Sequence, residues 1–84
     1  MQCYIYRSQR KQGAYLFLTE RDDFSRVPEG LMRLLGSAYF SFEFDLQPDK
    51  PLAQGNSAEV IRHLTEHGFY LQLPPADLAA TRVH

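Results

Sequence analysis

The chain has 84 residues, 44% of them hydrophobic and 13% aromatic, with 9 Lys and Arg against 10 Asp and Glu. That is enough apolar material for one packed core and too little length for a second, so a single domain over residues 1–84 is expected and a disordered chain is excluded. A net charge of −1 also excludes a domain whose affinity rests on bulk positive charge, such as a basic nucleic-acid arm or a polybasic membrane patch.

Residues 2–8 alternate Cys3 and Ile5 against Tyr4 and Tyr6, and residues 14–19 alternate Leu16 and Leu18 against Tyr15 and Phe17. Both stretches are rich in strand formers, and the polar run from Ser8 to Gly13 between them predicts an antiparallel hairpin with a long loop. Pro28 and Glu29 suit the first turn of a helix, Leu31, Leu34 and Leu35 give it one apolar stripe, and Gly36 stops it. Residues 39–46 read as a strand with Phe40, Phe42, Phe44 and Leu46 on one side and Tyr39, Ser41, Glu43 and Asp45 on the other. After the break at Pro48 and Pro51, Asn56 or Ser57 caps a helix running to His67, with Val60, Ile61 and Leu64 buried. Gly68 ends it, residues 69–73 form a last strand, and residues 76–83 suit one or two helical turns.

The order β-β-α-β-α-β-α predicts an α/β fold, with a small mixed sheet of about four strands and helices on both faces. The strand–helix–strand segment over residues 39–73 is read as a right-handed parallel crossover. The main core is assigned to Ile5, Leu16, Leu18, Phe40, Phe42, Phe44, Val60, Ile61, Leu64 and Leu71. On that assignment, truncating Phe42 to Ala costs about 3–5 kcal/mol.

The run Asp22-Asp23-Phe24-Ser25-Arg26-Val27-Pro28, followed downstream by Gly68-Phe69-Tyr70-Leu71-Gln72-Leu73-Pro74-Pro75, resembles the signature of the YcgL domain family. Ile5-Tyr6-Arg7-Ser8, Tyr15-Leu16-Phe17 and Leu52-Ala53 are similar too, so the resemblance spans nearly the whole chain. It implies a small bacterial cytosolic domain with an α/β/α sandwich fold and no assigned biochemical activity. It supplies no catalytic or binding residues to carry over.

Functional constellations are then weighed on their chemistry. His63-Leu64-Thr65-Glu66-His67 matches H-x-x-E-H, which sets two imidazoles on one side of a helix. No third ligand follows at a useful spacing, so the pair is read as a solvated helix face, His67 at the edge of the buried stripe and His63 on the wet side. Asp22, Asp23 and Ser25 lack the spacing of a calcium loop and have no neighbouring histidine, so they are read as turn and capping chemistry. Tyr4, Tyr6, Tyr15, Phe17 and Tyr70 share one alternating phase beside the basic loop of Arg7, Arg10 and Lys11. An aromatic face of that kind could stack single-stranded RNA.

The favoured reading is a non-catalytic domain acting through protein contacts, with Arg7, Arg10, Lys11, Asp22, Asp23, Ser25 and Arg26 as the interaction surface. No cofactor, metal or membrane partner is expected. Cys3 is the only cysteine, which excludes an internal disulfide, and it is read as a buried apolar residue. The opening residues carry neither a basic nor an apolar leader segment, so no secretory leader and a reduced cytosolic setting are expected.

Overall fold

A computed structural model describes residues 1–49 and 56–74. The expected helix at 76–83 and the Leu52-Ala53 pair lie outside the described residues. Within them the elements run β1 (Gln2–Ser8), β2 (Tyr15–Leu18), α1 (Glu29–Leu35), β3 (Ala38–Asp45), α2 (Ser57–His67) and β4 (Phe69–Gln72). The strand order is β3-β1-β2-β4, and all three pairings are antiparallel. Two expectations are corrected here. The sheet is antiparallel where a mixed one was predicted, and there is no parallel crossover, because β3 and β4 lie at opposite edges and run in opposite directions. A helix between two strands shows only that they are not a tight hairpin; it leaves their placement in the sheet open.

Helices do cover both faces. Cys3, Ile5 and Phe17 pack with Leu46, Val60 and Leu64, so α2 closes one face. Tyr6, Leu16 and Leu18 pack with Val27 and Leu35, with Leu31 and Met32 against them, so α1 closes the other. The Asn56 side chain accepts the N–H groups of Ala58 and Glu59 at 2.8 and 3.3 Å, giving α2 a formed N-cap. Pro28 stands one position earlier than expected, with extended backbone just outside α1, and makes no side-chain cap.

The largest departure concerns β3. Tyr6 pairs with Phe40 and Ile5 with Phe42, and the register shifts between those two pairs, leaving Ser41 as a bulge. Tyr6 and Ile5 point to opposite faces, so Phe40 and Phe42 do too, and the single phenylalanine face read from the alternation does not form. Phe42 is 47% exposed and Phe40 37% exposed at the edge of the sheet, so neither belongs to the main core. Phe42 retains an edge-on contact with Phe44 at 6.5 Å between centroids. Truncating Phe42 to Ala is therefore expected to lower stability by less than about 1 kcal/mol in urea unfolding of the dilute chain. A loss near the value for a buried ring would restore the original core assignment.

Candidate functional site

Most of the charged residues singled out by sequence fall into two structural roles. Two of the arginines close helix ends. Arg10 donates from Nη1 to the Arg33 carbonyl at 2.8 Å, and its own N–H donates to the Leu35 carbonyl at 3.1 Å. The Ser8 hydroxyl also donates to the Leu35 carbonyl, at 2.6 Å, so the hairpin loop satisfies the last carbonyls of α1. Arg26 does the same for α2, donating from Nη2 to the Glu66 carbonyl at 3.0 Å. Each helix then turns out through a glycine with positive φ, Gly36 at 71° and Gly68 at 82°. The guanidinium or its stem packs where a Cβ would stand: 3.1 Å from Arg10 at Gly36 and 2.6 Å from Arg26 at Gly68. A cation at a helix C-terminus is favoured by the dipole, so these charges are engaged in holding the fold.

Asp22, Asp23 and Ser25 supply the turn chemistry expected of them. Tyr6 is 2% exposed, and its hydroxyl donates to the Asp22 carboxylate at 2.8 Å while accepting the Asp22 N–H at 2.6 Å. Asp22 adopts φ 62°, a left-handed conformation that aspartate tolerates better than most side chains. The Asp23 carboxylate accepts the Ser25 hydroxyl at 2.6 Å and the Ser25 N–H at 3.1 Å, and those bonds hold it below the usual carboxylate range. The three side chains do not converge on a histidine. Arg7 is exposed, and Lys11 is partly exposed. An open concavity of about 490 Å³ beside the hairpin is lined by Arg7, Gln12, Tyr15 and Tyr39, and it excludes Asp22, Asp23, Ser25 and both helical histidines.

Two pairs one turn apart lie along α2, Arg62 to Glu66 at 3.5 Å and His63 to Glu59 at 3.9 Å. The positions of the two histidines are reversed from expectation. His63 is partly buried with its ring 5.5 Å from that of Tyr70, while His67 is exposed. The imidazole centroids are 5.7 Å apart, and no group of three possible metal ligands is gathered among the described residues.

The single aromatic platform is also corrected. Tyr4 pairs with Leu18 and Tyr6 with Leu16, so the hairpin register sets tyrosine beside leucine on the α1 side. Phe17 and Tyr70 lie on the α2 side, 5.6 Å apart and edge-on, with Phe17 buried. Those rings are split between the two faces of the sheet and do not form a single row. Sequence alternation fixes the phase within one strand, but pairing register fixes which phases share a face.

Cys3 is buried, and its thiol donates to the Phe44 carbonyl at 3.3 Å. Burial pushes the thiol up to about 11, with the N-terminal ammonium opposing and Asp45 adding to the shift. The unfolded chain ionises this thiol near 9, so above that pH unfolding releases a proton that the native state keeps. Stability is thus expected to fall as pH rises from about 9 to about 11. Urea midpoints of the wild-type and Cys3→Ala chains across this range should converge; a constant offset between them overturns the assignment.

What sequence reading missed is the outer edge of β3. Tyr39, Phe40 and Phe42 are exposed there at 53, 37 and 47%, and the Arg21 guanidinium lies 4.2 Å over the Phe40 ring. Glu43 and Asp45 follow in the second half of the strand, and the Gln2 amide donates to Glu43 at 2.9 Å. No strand pairs with this edge among the described residues. The opposite edge, β4, has four residues where β3 has eight. Among the described residues no helix is long and apolar enough to cross a membrane.

The sequence profile described as the YcgL domain matches residues 3–75. The chain is 43% identical over 75 residues to a YcgL domain-containing protein of Thioalkalivibrio sulfidiphilus, covering 89% of this chain and 93% of that protein. It is 44% identical to one of Mannheimia succiniciproducens over 89% of this chain and 74% of the relative, and 48% identical to one of Colwellia psychrerythraea over 89% and 77%.

Proposed function

Since the chain belongs to the YcgL domain family, its profile matched over residues 3–75, we propose that it acts as a non-catalytic contact domain in the cytosol, engaging protein through the β3 edge. The observation that carries this reading is the eight-residue edge, which no strand pairs among the described residues, with its three exposed aromatic rings. An unpaired strand edge offers a row of backbone donors and acceptors, and folded proteins shorten, charge or cover such edges unless they are used. β3 contains neither lysine nor proline, and the two charges it does carry, Glu43 and Asp45, both follow the Ser41 bulge, so its first half is unguarded. The cysteine supports a reducing setting, because its thiol serves as core.

The surface is thereby moved from the loop charges to β3. Arg10 and Arg26 are committed to helix ends, and Asp22, Asp23 and Ser25 to their turn, which leaves them little to offer a partner. A photo-crosslinking residue at Tyr39 is expected to give a protein adduct in host cells, and Phe42→Lys in the same chain to abolish it. The same crosslinker at Thr65, on the exposed side of α2, serves as control. Equal adducts at Thr65, or none at Tyr39, would overturn the reading.

A further inference from the structure

We infer that the β3 edge pairs with the β3 edge of a second copy of this chain, joining two four-stranded sheets about a two-fold axis. This rests on the reading of β3 as the contact surface and names its partner. The first argument is charge. The early half of β3 carries a cation on its α1 face, where Arg21 is stacked on Phe40 at 4.2 Å. The later half carries Glu43 on the same face, with Asp45 beyond it already paired to the N-terminal ammonium at 3.4 Å. Antiparallel pairing of two identical strands lays each acidic half against the other copy's cationic half, so the favourable contact occurs twice.

The bulge supplies the second argument, because it fixes the register. Before Ser41, Ala38 and Phe40 pair with Ser8 and Tyr6 on the α1 face, and Tyr39 lies on the α2 face. After Ser41 the phase is inverted: Phe42 and Phe44 pair with Ile5 and Cys3 on the α2 face, and Glu43 and Asp45 lie on the α1 face. A two-fold axis normal to the sheet keeps like faces together. Setting Phe40 opposite the second copy's Glu43, and Tyr39 opposite its Phe44, meets that condition along the whole strand. A slip of one residue places Phe40 against a ring on the wrong face. A slip of two toward the strand start keeps the faces but shortens the ladder and takes Glu43 away from Arg21. In the favoured register the Arg21 side chain, itself half exposed and 4.0 Å from Asp22, reaches the second copy's Glu43 above the Phe40 ring.

Among the described residues the assembly closes at two copies, since both long edges are consumed and β4 has only four residues. A small interface of this kind is weak, so the test spans concentrations up to about 1 mM. Sedimentation equilibrium of the full chain is expected to show a monomer–dimer equilibrium that weakens with added salt. Glu43→Arg and Arg21→Glu should each weaken it at least about tenfold, because each homodimer then brings like charges together twice. Mixing the two variants should restore association as a heterodimer, in which one contact is reversed and the other native. Restoration on mixing also shows that both variants are folded. In the wild type, hydrogen exchange at the β3 amides that do not bond β1 should slow as concentration rises.

Failure takes two distinguishable forms. A chain monomeric throughout that still gives the Tyr39 adduct with another protein overturns the self-pairing inference and keeps the edge as a contact surface. A monomeric chain with no such adduct overturns both. Dimers that persist in both variants, or a mixture that stays monomeric, overturn the assigned register.

Discussion

Replacing Tyr6 by alanine is expected to destabilise the domain by about 3–5 kcal/mol, the range for losing a buried aromatic side chain. The ring stands between Phe24 and Phe40, edge-on to both, at centroid distances of 5.0 and 5.6 Å. It also belongs to the cluster that Val27 and Leu35 complete, so its removal opens the joint between the sheet, the 20–28 loop and α1. A domain of this size holds on the order of 5–10 kcal/mol, so the alanine chain should be largely unfolded at moderate temperature. Tyr6→Phe separates the two contributions. It keeps the rings and removes only the hydroxyl bonded to Asp22, whose exposed carboxylate and N–H can turn to water, for about 1 kcal/mol. Urea unfolding of both variants checks the pair. Equal losses would mean that the hydroxyl, and not the ring, anchors the loop.

Gly68→Ala is the second large effect, expected at about 2–3 kcal/mol. The backbone at φ 82° is one that a Cβ disfavours, and the new carbon would stand 2.6 Å from Arg26 Cδ and 2.7 Å from its Nε. Arg26 must therefore leave the Glu66 carbonyl it bonds at 3.0 Å. The two components are separable by a double-mutant cycle. In an Arg26→Ala background the same substitution should cost only the backbone strain, about 1–2 kcal/mol, because the side chain to be displaced is gone. An unchanged cost in that background would show that Arg26 takes no part in closing α2.

These two sites mark how far the sequence could be read. The hairpin, the helix stopped by Gly36, the helix capped at Asn56 and the last strand after Gly68 all lie where their periodicity and punctuation predict, within a residue or two. Each of those signals is local: a cap, a glycine, an alternation. Tyr6 was legible as a strand residue, but its burial depends on Leu16, Phe40 and α1 meeting on one face, which register decides. The Ser41 bulge had no local mark. Ser41 sits in unbroken alternation between two phenylalanines, and only the pairing with β1 shows the phase reversing there. What the charged candidate residues bond was hidden for the same reason. Charge drew attention to Arg10 and Arg26, yet what they bond lies more than twenty residues away in sequence. The β3 edge became visible only once its neighbours were known.

The order β3-β1-β2-β4 also carries a consequence for how the chain reaches this fold. β1 and β2 are joined directly by the 9–14 loop, so the central pair can form in a single early event. β3 must then find the other side of β1 across the whole of α1, and β4 must find β2 after α2 has crossed beneath the sheet. Both closures join distant segments, and such closures set a slow pace relative to helical domains of equal length. Until β3 arrives, one long side of β1 stays bare. Folding rate should therefore respond to the β1–β3 seam, and changes at the short β4 margin should show themselves mainly in how fast the finished domain comes apart.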